Sequence, residues 1–146
     1  MDEFFSGWFG GLDEGLRKLS DAECGRLFAA CAARCAEDAL KYLYNGLWAE
    51  CGGDADAFFA SLHRVDKVDG RVVEKGRVYE WIFTECNCPV HTEGKVDCGR
   101  LCECSRQSII AELGVLMPEK EFTVTKVETI LDGGEACRFR IERVLK

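Results

Sequence analysis

Between positions 86 and 104 the chain concentrates side chains that bind soft metals or carry redox chemistry. Cys86-Asn87-Cys88-Pro89-Val90-His91 is followed by Cys98-Gly99-Arg100-Leu101-Cys102-Glu103-Cys104, five thiols and an imidazole in one short stretch. Thiolates and imidazoles are the ligands of closed tetrahedral zinc centres, and zinc is the cofactor this set suits best. The C-x-C-x9-C-x3-C-x-C spacing lacks the paired knuckles of zinc ribbons and matches neither common ferredoxin run, so an iron-sulfur cluster is less favoured. Two further readings stand beside a metal. Reduced cysteines pack as small apolar residues, and neighbouring thiols do redox catalysis, although the usual C-x-x-C is missing. His91 is an alternative ligand by its closeness to Cys88, whereas His63, closing a short helix, is read as a partner of a backbone group.

Ten of the 146 residues are cysteine, a density that a disulfide framework would explain only in an oxidising compartment. The Met1-Asp2-Glu3-Phe4-Phe5 start is acidic where a secretory signal is basic, and no long apolar region with a small-residue cleavage site follows. A cytoplasmic chain with reduced thiols is therefore expected. The net charge of −7 leaves no electrostatic footprint for nucleic acid. No apolar run approaches the roughly 20 residues that span a bilayer, so membrane insertion is not expected. An apolar fraction of 47%, a charged fraction of 31% and only two prolines suit one ordered domain. Neither a P-loop nor a Gly-rich dinucleotide fingerprint is present.

The elements that must position the thiols fall into a helical half, 1–63, and a sheet-rich half, 64–146. Ser20-Asp21-Ala22-Glu23 is a capping box, and a long helix follows to a stop at Cys51-Gly52-Gly53. On it Cys24, Leu27, Cys31 and Cys35, together with Phe28 and Ala32, are expected along an apolar stripe, with the thiols as ordinary core. Asp54 caps a second, short helix through Leu62. Beyond His63, turn pairs at Asp69-Gly70 and Lys75-Gly76 separate extended segments, the last running from Arg77 to Cys88. Strand alternation there puts Tyr79, Trp81 and Phe83 on one face, candidates to line a ligand pocket or to form ordinary core. It also makes Cys86 and Cys88 project together. A helix capped by Asp97 and ending at Gly114 then carries Cys98 and Cys102 on one face, with Cys104 joining them only if the first turn is irregular.

The C-terminal segment predicts a hairpin, Phe122 to Leu131 and Ala136 to Leu145, around Gly133-Gly134. Its register sets Glu128 opposite Phe139 and Ile130 opposite Cys137, which brings a carboxylate and a thiol onto the apolar face. The stretch Glu128 to Ile141, with a Glu before a Gly turn and a Cys-x-Phe-x-aliphatic strand after it, resembles the C-terminal signature of 4-vinyl-reductase domains. That resemblance covers about the last 60 residues and implies an α+β fold, an antiparallel sheet with packed helices, related to vesicle-tethering TRAPP subunits. It also implies binding of small hydrophobic molecules beside a structural zinc. In the family's zinc set, Cys102 or Cys104 matches the helix ligand, Glu128 the strand ligand and Cys137 the ligand after the turn. Leu131 occupies the remaining ligand position, so Cys86 or Cys88 is expected to supply the missing thiolate. The chain is also similar to 2-amino-thiazoline-4-carboxylate hydrolases in its helical N-terminal half and terminal hairpin, which would imply ring opening of a cyclic amidine, with catalytic residues unassigned.

The expectation is thus an α+β domain that binds a small apolar molecule between helix and sheet, with homodimerisation left open. Its metal ligands are drawn from Cys86, Cys88, Cys98, Cys102, Cys104, Glu128 and Cys137. The alternatives are the hydrolase and a purely structural module in which zinc staples the sheet to the helix.

Overall fold

The computed structural model describes residues 3–86, 88–93 and 96–145. The acidic start at Met1-Asp2, Asn87 of the cysteine motif, and Gly94 and Lys95 of the loop after His91 lie outside the described residues. The helical half opens with α1 (Glu3–Leu16) and α2 (Asp21–Ala39), continues through a π-helical turn (Leu40–Tyr44) into α3 (Asn45–Glu50), and ends with α4 (Ala55–Ser61). Then follow β1 (Val68–Glu74), β2 (Val78–Phe83), the short α5 (Pro89–Thr92), α6 (Cys102–Leu116), β3 (Phe122–Glu128) and β4 (Cys137–Arg143). The strands form one antiparallel sheet in the order β1-β2-β4-β3. Helices followed by an antiparallel sheet and its packed helix make this the α+β architecture expected.

Local hydrogen bonding explains the boundaries that were expected. Glu23 N–H donates to Ser20 Oγ at 3.1 Å and Ser20 N–H to the Glu23 carboxylate at 3.0 Å, which satisfies the first amides of α2. Gly52 and Gly53 adopt φ of 63° and 79°, conformations that end a helix at little cost only for glycine. Asp54 caps α4 by accepting from the amides of Asp56 and Ala57.

Four expectations change. Among the residues proposed as a stripe on α2, Cys24, Phe28 and Ala32 are buried, but Leu27, Cys31 and Cys35 are exposed. The face turned to the interior is Cys24, Gly25, Phe28, Ala32 and Ala36, because α6 packs tightly there: a Cβ on Gly25 would stand 3.0 Å from the Gln107 amide. Asp69-Gly70 is no turn but part of β1, and its glycine serves a close approach. A Cβ at Gly70 would lie 2.3 Å from the carbonyl oxygen of Phe59. The segment after Arg77 is strand only to Phe83, so Cys86 and Cys88 lie beyond it. Finally, α6 begins later and ends later than expected. Asp13 on α1 accepts from the amides of Asp97 and Cys98, at 3.0 and 2.8 Å. Cys98 Sγ caps a 3-10 turn (Gly99–Leu101) that precedes α6, and the helix passes Gly114 to end at Leu116.

The main core lies between the sheet and the helices α3, α4 and α6, where Phe58, Phe59, Tyr79, Trp81, Ile109, Phe139 and Ile141 are fully buried. Tyr79 stacks on Phe59 with ring centroids 4.2 Å apart, and its hydroxyl donates to Asp56 at 2.7 Å. A second cluster joins α1 and α2 to the segment before α6 through Leu16, Cys24, Phe28, Val96, Cys98 and Leu101. Gly70→Ala should cost about 1–3 kcal/mol, as overpacked sites do, read as a lowered midpoint in urea denaturation. A midpoint equal to the parent's would mean that β1 and α4 are not in fixed contact.

Candidate functional site

The end of β2, the start of α6 and the start of β4 meet around a narrow cleft of about 30 Å³. Its walls are Phe83, Leu101 and Leu131, and four thiols line it: Cys86, Cys88, Cys102 and Cys137. Strand pairing explains half of this arrangement, since Phe83, the last residue of β2, lies opposite Cys137, the first of β4. The 3-10 turn explains the other half by delivering Cys102 as the first residue of α6.

Cys102 and Cys137 are both buried and line the cleft together. Cys137 Sγ accepts the Ile130 amide at 3.4 Å. The neighbouring Cys102 thiol, aided by that amide, holds the Cys137 thiol below its ordinary range, while the same pairing and burial push Cys102 up. Burial raises Cys86.

The other expected ligands stand elsewhere. Cys98 faces the α1–α2 cluster and is occupied as a cap, its Sγ accepting from Arg100 N–H at 3.5 Å. Cys104 packs against the second cluster rather than in the cleft with Cys102, and burial pushes it up to about 12. Glu128 is displaced by a bulge. The register shifts between Lys126 and Glu128, so that Glu128 pairs with Arg138 rather than Phe139, and Ile130 leaves the strand for a 3-10 turn. The Glu128 carboxylate consequently accepts from Arg138 Nε at 3.3 Å, beside Glu80, which accepts from the same guanidinium at 3.1 Å. His91 engages the carbonyl of Val96 at 2.9 Å and Asp97, and His63 the carbonyl of Ala60 at 2.9 Å. Among the described residues no three His, Cys, Asp or Glu side chains are gathered as a ready-made metal site. The cleft thiols match zinc in the softness of their donors and would close on an ion only by side-chain rotation.

Of the aromatic trio, Tyr79 and Trp81 are consumed by core packing, and Phe83 alone lines the thiol cleft. A larger opening lies between two helices. Ala33, Ala36, Glu37, Leu40, Lys41 and Asn45 on one side and Ala111 and Val115 on the other border an open groove of about 530 Å³ along α2, its π-helical extension and α6. This volume is in the range of small-molecule sites. Small side chains on both helices keep it open, a signal that the alanines at 33, 36 and 111 carry in the sequence but that helical periodicity alone does not assign.

No protein-family model matches the chain, and no curated protein does. Solved structures do match. A crystal structure of trafficking protein particle complex subunit 3 from Naegleria fowleri, covalently bound to palmitic acid, has a TM-score of 0.57 at 12% identity, over 98% of this chain and 95% of that one. The chain has the α+β fold of a TRAPP subunit. This is the fold that the terminal hairpin's resemblance implied; membership of the 4-vinyl-reductase or thiazoline hydrolase families has no family-model match behind it. Among the described residues no helix is long and apolar enough to cross a membrane.

Glu112 on α6 is 4% exposed, and burial pushes its carboxyl up to about 8. Between the ordinary carboxyl range and about pH 8 the folded chain keeps a proton that the unfolded chain has released. Stability therefore falls as pH rises through that window, by at most about 1.4 kcal/mol per pH unit. Glu112→Gln removes the titration, so its stability relative to the parent should grow from about pH 5 to about pH 8. Urea denaturation at both pH values checks this, and a constant difference would refute it.

Proposed function

We propose that this protein is a small-molecule-binding domain on a TRAPP-subunit scaffold, with a thiol cleft that holds a soft metal ion, zinc. The observation that carries the metal reading is the meeting of Cys86 and Cys88, from the segment after β2, with Cys102 of α6 and Cys137 of β4 at one cleft. Four thiolates are a complete zinc donor set. Bound there, zinc would supply a structural cross-link among the end of β2, α6 and β4. The apolar ligand is assigned to the α2–α6 groove, because its alanine-lined walls leave a path for a slender chain and Tyr79 and Trp81 are not free to line a pocket. The Naegleria fowleri protein's palmitic acid supports an acyl chain as that ligand.

Metal analysis of protein purified without added metal should find about one zinc per chain, lost in Cys102→Ser. An absence of transition metal with all ten thiols titratable in the native state would overturn the metal reading. A visible charge-transfer spectrum with stoichiometric iron would replace zinc by a cluster. For the groove, palmitate should raise the melting temperature in proportion to the logarithm of its concentration above Kd, and Ala33→Trp should remove the shift. No shift up to the solubility limit would leave the second reading, an interaction module whose zinc is only a staple. That reading is favoured by Phe4 and Trp8 on α1, which are 70% and 58% exposed.

A further inference from the structure

A cavity of about 460 Å³ opens where the residues after α1, the 3-10 turn before α6 and the connection from β3 to β4 meet. Its volume is in the range of small-molecule sites. Three cations far apart in the chain line it, Arg17, Arg100 and Lys126, although the chain as a whole carries a net charge of −7. Two acids, Asp97 and Asp132, line it with them.

The cations have donors to spare. Only 20% of the Lys126 side chain is exposed, and among the described residues its ammonium meets one carboxylate, Asp132, at 3.8 Å, beyond hydrogen-bond reach. Arg17 donates through Nε to Asp13 at 3.1 Å, and Arg100 through Nη1 to Asp21. A guanidinium has five N–H donors, so each arginine keeps several for a ligand. The acids are held in place. The Thr129 hydroxyl donates to Asp132 at 2.8 Å, and His91 Nδ1 lies 3.2 Å from the Asp97 carboxylate. Gly99, which also lines the cavity, lets Asp132 come close, since a Cβ there would stand 1.9 Å from Asp132 Oδ1. A ligand of one sign would be repelled by part of this wall. A ligand carrying both signs matches all of it.

We infer that the cavity binds a small amino dicarboxylic acid, a molecule with two carboxylates and one ammonium. The carboxylates lie against Arg17, Arg100 and Lys126, where the planar arginine fork suits a carboxylate. The ammonium lies against Asp97 and Asp132. The wall has one positive charge in excess and the ligand one negative. The site shares Leu131 with the thiol cleft but depends on neither the metal nor the acyl reading.

The test titrates the full chain with L-glutamate, with glutarate, which lacks the ammonium, and with 4-aminobutyrate, which lacks one carboxylate. Backbone amide resonances follow the binding. L-Glutamate should bind with a Kd below about 1 mM, moving the resonances of Gly99, Arg100, Lys126 and Asp132. Each analogue, having lost one charged contact, should bind about tenfold more weakly. Lys126→Gln should weaken L-glutamate by a similar factor, and Asp132→Asn should narrow its advantage over glutarate. The inference is overturned if L-glutamate does not approach saturation by about 10 mM, if glutarate or 4-aminobutyrate binds as tightly, or if the shifts map to the α2–α6 groove instead. The ligand series on the wild-type chain requires no variant to fold.

Discussion

The pairing of β2 with β4 is the constraint from which the rest follows. These two central strands place Trp81 opposite Phe139 and Tyr79 opposite Ile141, so the main core forms around their shared inner face. The same ladder ends at Phe83 opposite Cys137. A strand pair shifted by one residue would turn all these side chains to the other face, and Cys137 would leave the cleft together with Phe139 and Ile141. Core and candidate site are thus set by one register.

The helices hold α6 where that register needs it. Its flank toward α2 is tight at Gly25, and Ser108 Oγ donates to the carbonyl of Ala32 at 3.1 Å. Toward the sheet, Arg106 donates both to the buried Glu103 carboxylate at 2.8 Å and to the carbonyl of Val124 at 2.8 Å. A buried carboxylate is tolerable only when so paired. At the N-terminal end, the Asp13 carboxylate fixes the amides of Asp97 and Cys98 and so ties α1 to the segment that launches α6.

Features set by short-range bonding were legible in the sequence. The Ser20–Glu23 capping box, the Gly52-Gly53 stop, the Asp54 cap and the inward alternation of Cys137, Phe139 and Ile141 each depend on neighbours a few residues away, or on strand period alone. Features decided across the fold were not. In α1, Gly7, Gly10, Gly11 and Gly15 dilute helix propensity, and Phe9, Leu12 and Leu16 secure it by packing on the second cluster. Cys31 and Cys35 keep an acceptable helical spacing, but the close approach of α6 buries only the part of the expected stripe that runs through Cys24, Phe28 and Ala32, beside Gly25. Within the site, Cys86, Cys88, Cys102 and Cys137 converge as the motif and the hairpin suggested. Cys98 and Cys104 diverge because a 3-10 turn and the helical rotation after it separate them, and Glu128 diverges because one inserted residue changes its partner.

That inserted residue has a counterpart. The sheet contains register shifts at Val72/Glu74 in β1 and at Lys126/Glu128 in β3, and these are its two outer strands. In each the residue passed over is a valine open to solvent, Val73 at 49% and Val127 at 55% exposure. An outer strand that runs straight offers a row of unpaired amides and carbonyls to any passing chain, and a bulge interrupts that row and twists it away. The irregularity that moves Glu128 off the thiol cleft therefore belongs to a pair of interruptions, one per border, that keep an open four-stranded sheet from growing by end-on addition of other molecules.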